Sequence, residues 1–270
     1  MRVTIKNIHH FYSGAIEALK GINLSIDAGE TVLLLGHNGA GKSTLLKHLN
    51  GILKPTSGEV LIGEVNTKSQ DVSELAQHVA LTFQNPDDQI FSHTVLDEVT
   101  FGPRNLSKEN FLNQATHALE LLDLSNFEAS HPYDLHPSRR KMLTIASAIA
   151  MDTPILAFDE PTAGFDMRQR NIFGRALDEL EQRKKTIIMV SHDIDYFLEY
   201  CDSLVLMNHG RVTYHGSKVD FAKGPDIREL LRKSGLGLPV LWRLSRALHL
   251  REIPSSIEEF TEVYLGERNA

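Results

Sequence analysis

The sequence predicts an α/β fold: a largely parallel sheet, interrupted by a helical insertion and followed by a small helical tail. Three observations carry this. Apolar runs such as Val32-Leu33-Leu34-Leu35 and Ile187-Ile188-Met189-Val190 have the length and continuity of strands buried on both faces. From Ile155 onward, strand-like and helix-like segments alternate, as parallel strand–helix–strand units require. Between Pro86 and Met151, apolar residues recur at helical spacing, as in Phe111, Ala115, Ala118, Leu119 and Leu122, and again in Met142, Ile145, Ala146, Ile149 and Ala150.

In chain order, Val3, Ile5 and Ile8 pattern an opening strand, and Ile22 to Ile26 alternates as a second. Asp27-Ala28-Gly29 is a turn into the apolar strand Thr31 to Leu35. A glycine-rich loop leads to a helix from Ser43 to Asn50, closed by Gly51. Pro55-Thr56-Ser57-Gly58 turns the chain into a strand from Glu59 to Ile62, and another strand runs from Val79 to Phe83. After the helical stretch come a strand at Ile155 to Phe158, a helix at Arg168 to Gln182, a strand at Thr186 to Val190 and a helix at Asp195 to Tyr200. Ser203 to Met207 and Arg211 to Tyr214 then flank a hairpin turn at Asn208-His209-Gly210. The main domain is expected over 1–215, with the helical insertion at about 86–151, and the tail over 216–270.

At 270 residues the chain can bury one substantial core plus a small appendage. A net charge of −7 argues against a general nucleic-acid binder, which needs a basic surface to neutralise phosphates. One cysteine, Cys201, excludes an internal disulfide and fits a reducing compartment. The opening residues do not form a signal peptide, and no apolar run approaches the roughly 20 residues of a spanning helix. The chain is therefore expected to be soluble and to reach a membrane only through a partner. Its 13 histidines are scattered without metal-site spacing.

The strongest chemical signal is Gly36-His37-Asn38-Gly39-Ala40-Gly41-Lys42-Ser43-Thr44, a G-x-x-x-x-G-K-[ST] pattern lying between a strand and a helix. Glycines let backbone N–H groups fold around phosphates, and the helix N-terminus adds its positive end. Lys42 supplies a point charge for β and γ phosphates, and the Ser43 hydroxyl is a ligand for Mg2+. A nucleoside triphosphate with magnesium is the ligand this loop expects.

Ile155 to Phe158 ends in Asp159-Glu160. Side chains alternate along a strand, so the two acids take different parts. Asp159 suits an outer magnesium ligand, and Glu160 a general base for the attacking water. Thr186 to Val190 ends in Ser191-His192-Asp193, placing His192 at the ligand crevice of an open sheet, where it can donate to a transferring phosphoryl group.

With these residues in place the chain resembles the ATPase subunits of ABC transporters over about residues 1–215. The resemblance implies an ABC-type P-loop NTPase core with an antiparallel β subdomain and an inserted helical subdomain. It also assigns roles. Pro161 to Asp166 looks like the D-loop, with Asp166 its acidic member, and Gln84 looks like the Q-loop glutamine that reaches magnesium and water. His192 looks like the switch histidine. Tyr12 is the candidate aromatic for stacking on adenine, with Phe11 the competitor.

The stretch from Phe83 to Phe91, then Thr94-Val95 and Phe101 to Leu106, is similar to the ATPases of energy-coupling factor transporters, which import vitamins or nickel and cobalt. Gly235 to Val240 and Ser256 to Phe260 look like that family's C-terminal extension, through which ATPases pair beneath a membrane coupling subunit and a substrate-binding membrane protein. The resemblance implies a translocating ATPase held peripherally at the cytoplasmic face of the cell membrane. Asp87-Asp88 reads either as a solvated turn or as part of the docking groove.

One segment departs from the family pattern. A signature near Leu-Ser-Gly-Gly-Gln closes on the opposing subunit's ATP, but here the register holds Leu135-His136-Pro137-Ser138-Arg139, then Arg140-Lys141. His136 replaces the phosphate-binding serine, and Pro137 removes a backbone donor while suiting a helix's first turn. Either the signature is worn down and the site it caps hydrolyses poorly, or His136 and the Arg139-Arg140-Lys141 cluster substitute by charge. A solvated basic helix face fits the first reading. Because this chain's own half-site is intact, a heterodimer with an intact second ATPase is preferred over a homodimer. A weakly hydrolysing regulatory subunit and the ATPase of another ABC importer class are the alternatives. A DNA-repair ABC ATPase would need long coiled-coil insertions that are missing here.

Overall fold

The computed structural model describes residues 1–13, 16–224, 226–250 and 252–268. Its strands are β1 (Val3–Tyr12), β2 (Ile16–Ile26), β3 (Thr31–Leu35), β4 (Ser57–Ile62), β5 (Val65–Asn66), β6 (Val79–Thr82), β7 (Ile155–Asp159), β8 (Thr186–Val190), β9 (Ser203–Asn208) and β10 (Arg211–Ser217). Its α-helices are α1 (Lys42–Leu49), α2 (Val72–Leu75), α3 (Val95–Asn105), α4 (Phe111–Leu121), α5 (Pro137–Ala150) and α6 (Met167–Gln182). The later ones are α7 (Ile194–Phe197), α8 (Lys218–Lys223), α9 (Ile227–Lys233), α10 (Val240–Ala247) and α11 (Ile257–Arg268).

Two sheets form the frame. A four-stranded antiparallel sheet has the order β2-β1-β4-β5, and a six-stranded sheet has the order β10-β9-β3-β8-β7-β6. In the second, all neighbours are parallel except the β9–β10 hairpin. Every residue of β3, β7 and β8 is buried, which explains why these strands read as unbroken apolar runs. One face of this sheet and α1 share a core with the antiparallel sheet. The other face packs on α3 to α7, on the helical insertion, and on tail residues Phe221, Leu231 and Trp242. Parallel strands deliver their C-terminal ends to one edge, so the residues after β3, β6, β7 and β8 meet there.

Where boundaries differ from the sequence expectation, a tertiary contact is responsible. Strand β6 stops at Thr82 rather than Phe83 because the N–H of Phe83 goes to the Gln89 side chain and its carbonyl to Lys141. Helix α7 stops at Phe197 rather than Tyr200, since Lys218 takes the carbonyls of Leu198 and Glu199. Strand β10 runs on to Ser217, paired with Ser203, so its last two residues fall beyond the expected limit of 215.

Candidate nucleotide site

The phosphate loop is shaped by its glycines. Gly36 (φ 152°) would drive a Cβ into the Met207 carbonyl of β9, and a Cβ on Gly41 (φ 102°) would lie 2.8 Å from the Ala18 carbonyl. The loop therefore lies tight against the sheet end before entering α1. Lys42 is buried there, and its Nζ donates to the carbonyls of Gly36 (2.6 Å) and His37 (3.1 Å). Burial lowers its pKa, while Glu160 and Asp159 pull it back up. The ring of His37 bridges the Asn38 carbonyl (2.7 Å) and the Asn208 side chain (3.0 Å), anchoring the loop to β9.

Asp159 and Glu160, both buried, point to different neighbours, as alternation requires. Burial pushes the Asp159 carboxyl up, with the Ser43 hydroxyl acting in the other direction. Its Oδ1 is buried without a hydrogen-bond partner among the described residues. An orphaned carboxylate oxygen beside a serine hydroxyl is a hard-oxygen donor set of the kind magnesium takes. Glu160 sits in the left-handed region (φ 48°), a strained conformation for this residue type. Its N–H is held by Val190 (2.9 Å), and its Oε2 accepts from His192 Nδ1 at 2.9 Å.

Two adjoining cavities share Asn38, Gln84 and Glu160. One of about 280 Å³ is lined also by Lys42, Ser43 and Asp159. The other, about 360 Å³, adds His192 and, from the tail, Gly235 and Leu236. Phe11 and Tyr12 are both exposed. Of the two, Tyr12 reaches the loop helix, its hydroxyl 3.1 Å from Thr44 Oγ1.

The segment His136–Arg139 and Asp166 line neither cavity. His136 caps α5, its Nδ1 accepting from the Ser138 N–H (3.3 Å) and lying 2.8 Å from Ser138 Oγ; Pro137 occupies the first turn, where it costs no helical bond. Ser138 is buried and accepts from Gln169 (2.8 Å), which completes a capping box with Asp166 on α6. The segment His136–Arg139 and Asp166 are thus joined to each other through Gln169. The basic cluster is not uniformly solvated, with Arg139 exposed, Arg140 half-buried and Lys141 buried. Arg139 stacks over Phe127 (4.4 Å), Arg140 pairs with Asp87 (3.4 Å), and Lys141 is buried.

Sequence reasoning missed Lys141 and the tail residues. For Lys141 a signal existed: it lies four residues before Ile145, on the stripe that α5 buries. For Gly235 and Leu236 there was none.

A phosphate loop after β3, a buried acid pair at the end of β7, and a histidine bonded to the second acid are the parts of a P-loop ATPase site. Residues 19–163 match the ABC transporter family. The chain is 35% identical over 266 residues to the energy-coupling factor transporter ATP-binding protein EcfA of Carboxydothermus hydrogenoformans, covering 97% of each chain. To EcfA of Methanocaldococcus jannaschii it is 39% identical over 255 residues, covering 93% of this chain and 88% of the relative. The solved structure of cbiO1 from Clostridium perfringens, part of the ABC transporter complex cbiONQ, matches with TM-score 0.72 and 33% identity, over 90% of this chain and 98% of that one. The chain belongs to the ABC transporter ATP-binding family and resembles its energy-coupling factor members. It binds ATP, and it is an ATPase whose hydrolysis is coupled to transport.

Proposed function

We propose that this chain powers an importer of the energy-coupling factor type, for a vitamin or a transition metal, beside a second and different ATPase subunit. The observation that carries this reading is the 2.9 Å bond between His192 and Glu160, set against Lys42 and Asp159 while the chain's own signature segment departs from the family pattern. The half-site is equipped for hydrolysis, and the segment it would lend to a partner is altered.

In this reading the loop amides and Lys42 hold the β and γ phosphates, and Tyr12 stacks on the adenine. Glu160 orients the attacking water and accepts its proton, which suits a carboxylate held by His192 rather than neutralised by a lysine. The Nδ1 contact with Glu160 orients the His192 ring, and donation from Nε2 to the phosphoryl oxygens at the same time requires the doubly protonated ring. Ser43, Gln84 and Asp159 would hold Mg2+, which neutralises charge building on the phosphates. Pro137 leaves one fewer backbone donor at the start of α5, which supports an impaired site where this segment caps the partner's ATP.

Two surfaces support the partners. Phe91 and Phe101, 59% and 40% exposed and in edge contact at 4.6 Å, form an apolar patch beside Asp87-Asp88 suited to an integral membrane coupling subunit that also engages a substrate-binding membrane protein. Val240, Leu244 and Leu248 make an exposed stripe along α10, suited to pairing ATPases through the segment 216–270. Among the described residues no helix is long and apolar enough to cross a membrane, so attachment at the cytoplasmic face would run through these surfaces.

The test is ATP turnover by the purified chain alone and mixed with a second ATPase of the same transporter. Robust turnover alone would refute the heteromeric arrangement. In the assembled transporter, Glu160→Gln should lower turnover by about 10²-fold or more while ATP still binds. Unaltered transport would assign this site a regulatory role.

A further inference from the structure

Lys141 is 2% exposed, so its ammonium is withdrawn from bulk solvent. A buried charge persists only when its donors are used. An ammonium has three, and Lys141 Nζ meets three carbonyls: Phe83 (3.0 Å), Gln84 in a still shorter bond, and Asp159 (3.4 Å). Burial lowers the Lys141 pKa to about 8, with the negative charges of Asp159 and Glu160 opposing the fall.

The location of those carbonyls is what gives the contact meaning. Phe83 and Gln84 follow β6, Asp159 is the last residue of β7, and β6 and β7 are adjacent parallel strands. Lys141 rises from α5, the helix that His136 caps. A single side chain thus joins the ends of two strands, each of which presents a site residue, to the helix bearing the signature segment. The preceding residue repeats the connection from outside, since Arg140 pairs with Asp87 in the turn after Gln84. Movement of α5 would have to carry the backbone of Gln84 and Asp159 with it or break these bonds.

We propose that Lys141 is a positioning residue for magnesium-bound ATP, setting Gln84 and Asp159 through their main-chain carbonyls and tying that setting to the orientation of α5. The proposal rests on the reading that Gln84 and Asp159 face magnesium. Lys141 touches neither nucleotide nor metal in this role.

The experiment uses the full chain and titrates a fluorescent ATP analogue in EDTA and in magnesium, with hydrogen–deuterium exchange read over residues 83–88. Lys141→Met has similar length but no donor. It should keep its EDTA affinity within about twofold, lose about tenfold of the magnesium-dependent tightening, and exchange faster at 83–88. Lys141→Arg, which restores a buried donor cation, should recover the tightening to within about threefold. A folded Lys141→Met variant with wild-type magnesium dependence overturns the proposal. So does an equal loss in EDTA and magnesium, which would mark a packing defect. If Lys141→Met does not fold, Lys141→Gln decides: too short to reach all three carbonyls, it must show a loss in the same direction, and equality with the wild type refutes the role. A wild-type chain indifferent to magnesium would instead sink the metal-site reading itself, leaving the two failures distinguishable.

Discussion

His48 on α1 is 0% exposed, with Nδ1 2.7 Å from the Thr44 carbonyl and Nε2 3.2 Å from Nδ1 of His10. A neutral ring that donates from Nδ1 to a carbonyl accepts at Nε2, which fits a His10 Nδ1–H shared between His48 and the Lys54 carbonyl (3.2 Å). Burial is the main reason the His48 pKa falls from 6.5 to about 4; bonds to the Thr44 and Lys54 carbonyls oppose this, and His10 adds to it. A base whose folded pKa is depressed binds protons more readily when unfolded. Its contribution is therefore intact above the unfolded pKa and is lost as pH falls from about 6.5 toward 4. At pH 5 the unfolded state is about thirtyfold favoured in proton binding, a loss of about 2 kcal/mol relative to pH 7. The assay is urea unfolding at both pH values for the wild type and His48→Gln. Other groups titrate alike in both proteins, so the wild type should lose about 2 kcal/mol more than the variant on acidification. Equal losses would refute the assignment of a neutral, buried His48. Because His10 also meets Tyr12 edge-on (4.8 Å), and Tyr12 bonds Thr44, acidification should loosen the candidate adenine aromatic as well.

Two further outcomes follow from the geometry. Gly36→Ala should weaken ATP binding by tenfold or more in calorimetry, since the new Cβ meets the Met207 carbonyl and must displace the loop; unchanged affinity would show that the loop tolerates the shift. The thiol of Cys201 is buried and pushed up to about 12, so the native protein should resist iodoacetamide at pH 8 and react only when unfolded in denaturant. Rapid labelling of the folded chain would contradict that burial.

Much of the fold was legible because its signals are local. Thr31–Leu35 and Thr186–Val190 are strands with the expected ends, since an apolar run bounded by turn residues has few other ways to be buried. Strand β2 begins at Ile16, well before the expected Ile22, because its first half carries Glu17 and Lys20 at a sheet edge, where half-exposed residues hide the alternation. The helical insertion was readable as helices, and Lys141 falls on the buried stripe of α5, but what it meets there was not readable. In sequence it stands in a basic run. In three dimensions α5 turns it inward onto Gln84 and Asp159, while Arg139 and Arg140 are drawn sideways to Phe127 and Asp87.

The sequence by itself determined that this chain handles a nucleoside triphosphate. The loop from Gly36 to Ser43 is contiguous, its glycines and lysine act through neighbouring backbone, and the strand ends that carry Asp159 and His192 follow from patterning. Tertiary structure decided how those pieces are held. The Glu160–His192 bond spans 32 residues, Lys141 reaches Gln84 across 57, and Gly235 and Leu236 of the tail help to wall the cavity beside Glu160. Spacing along a chain encodes which residues share a helix face or a strand end. It does not encode which carbonyls a distant helix brings within reach of one buried ammonium, because that depends on how whole elements pack.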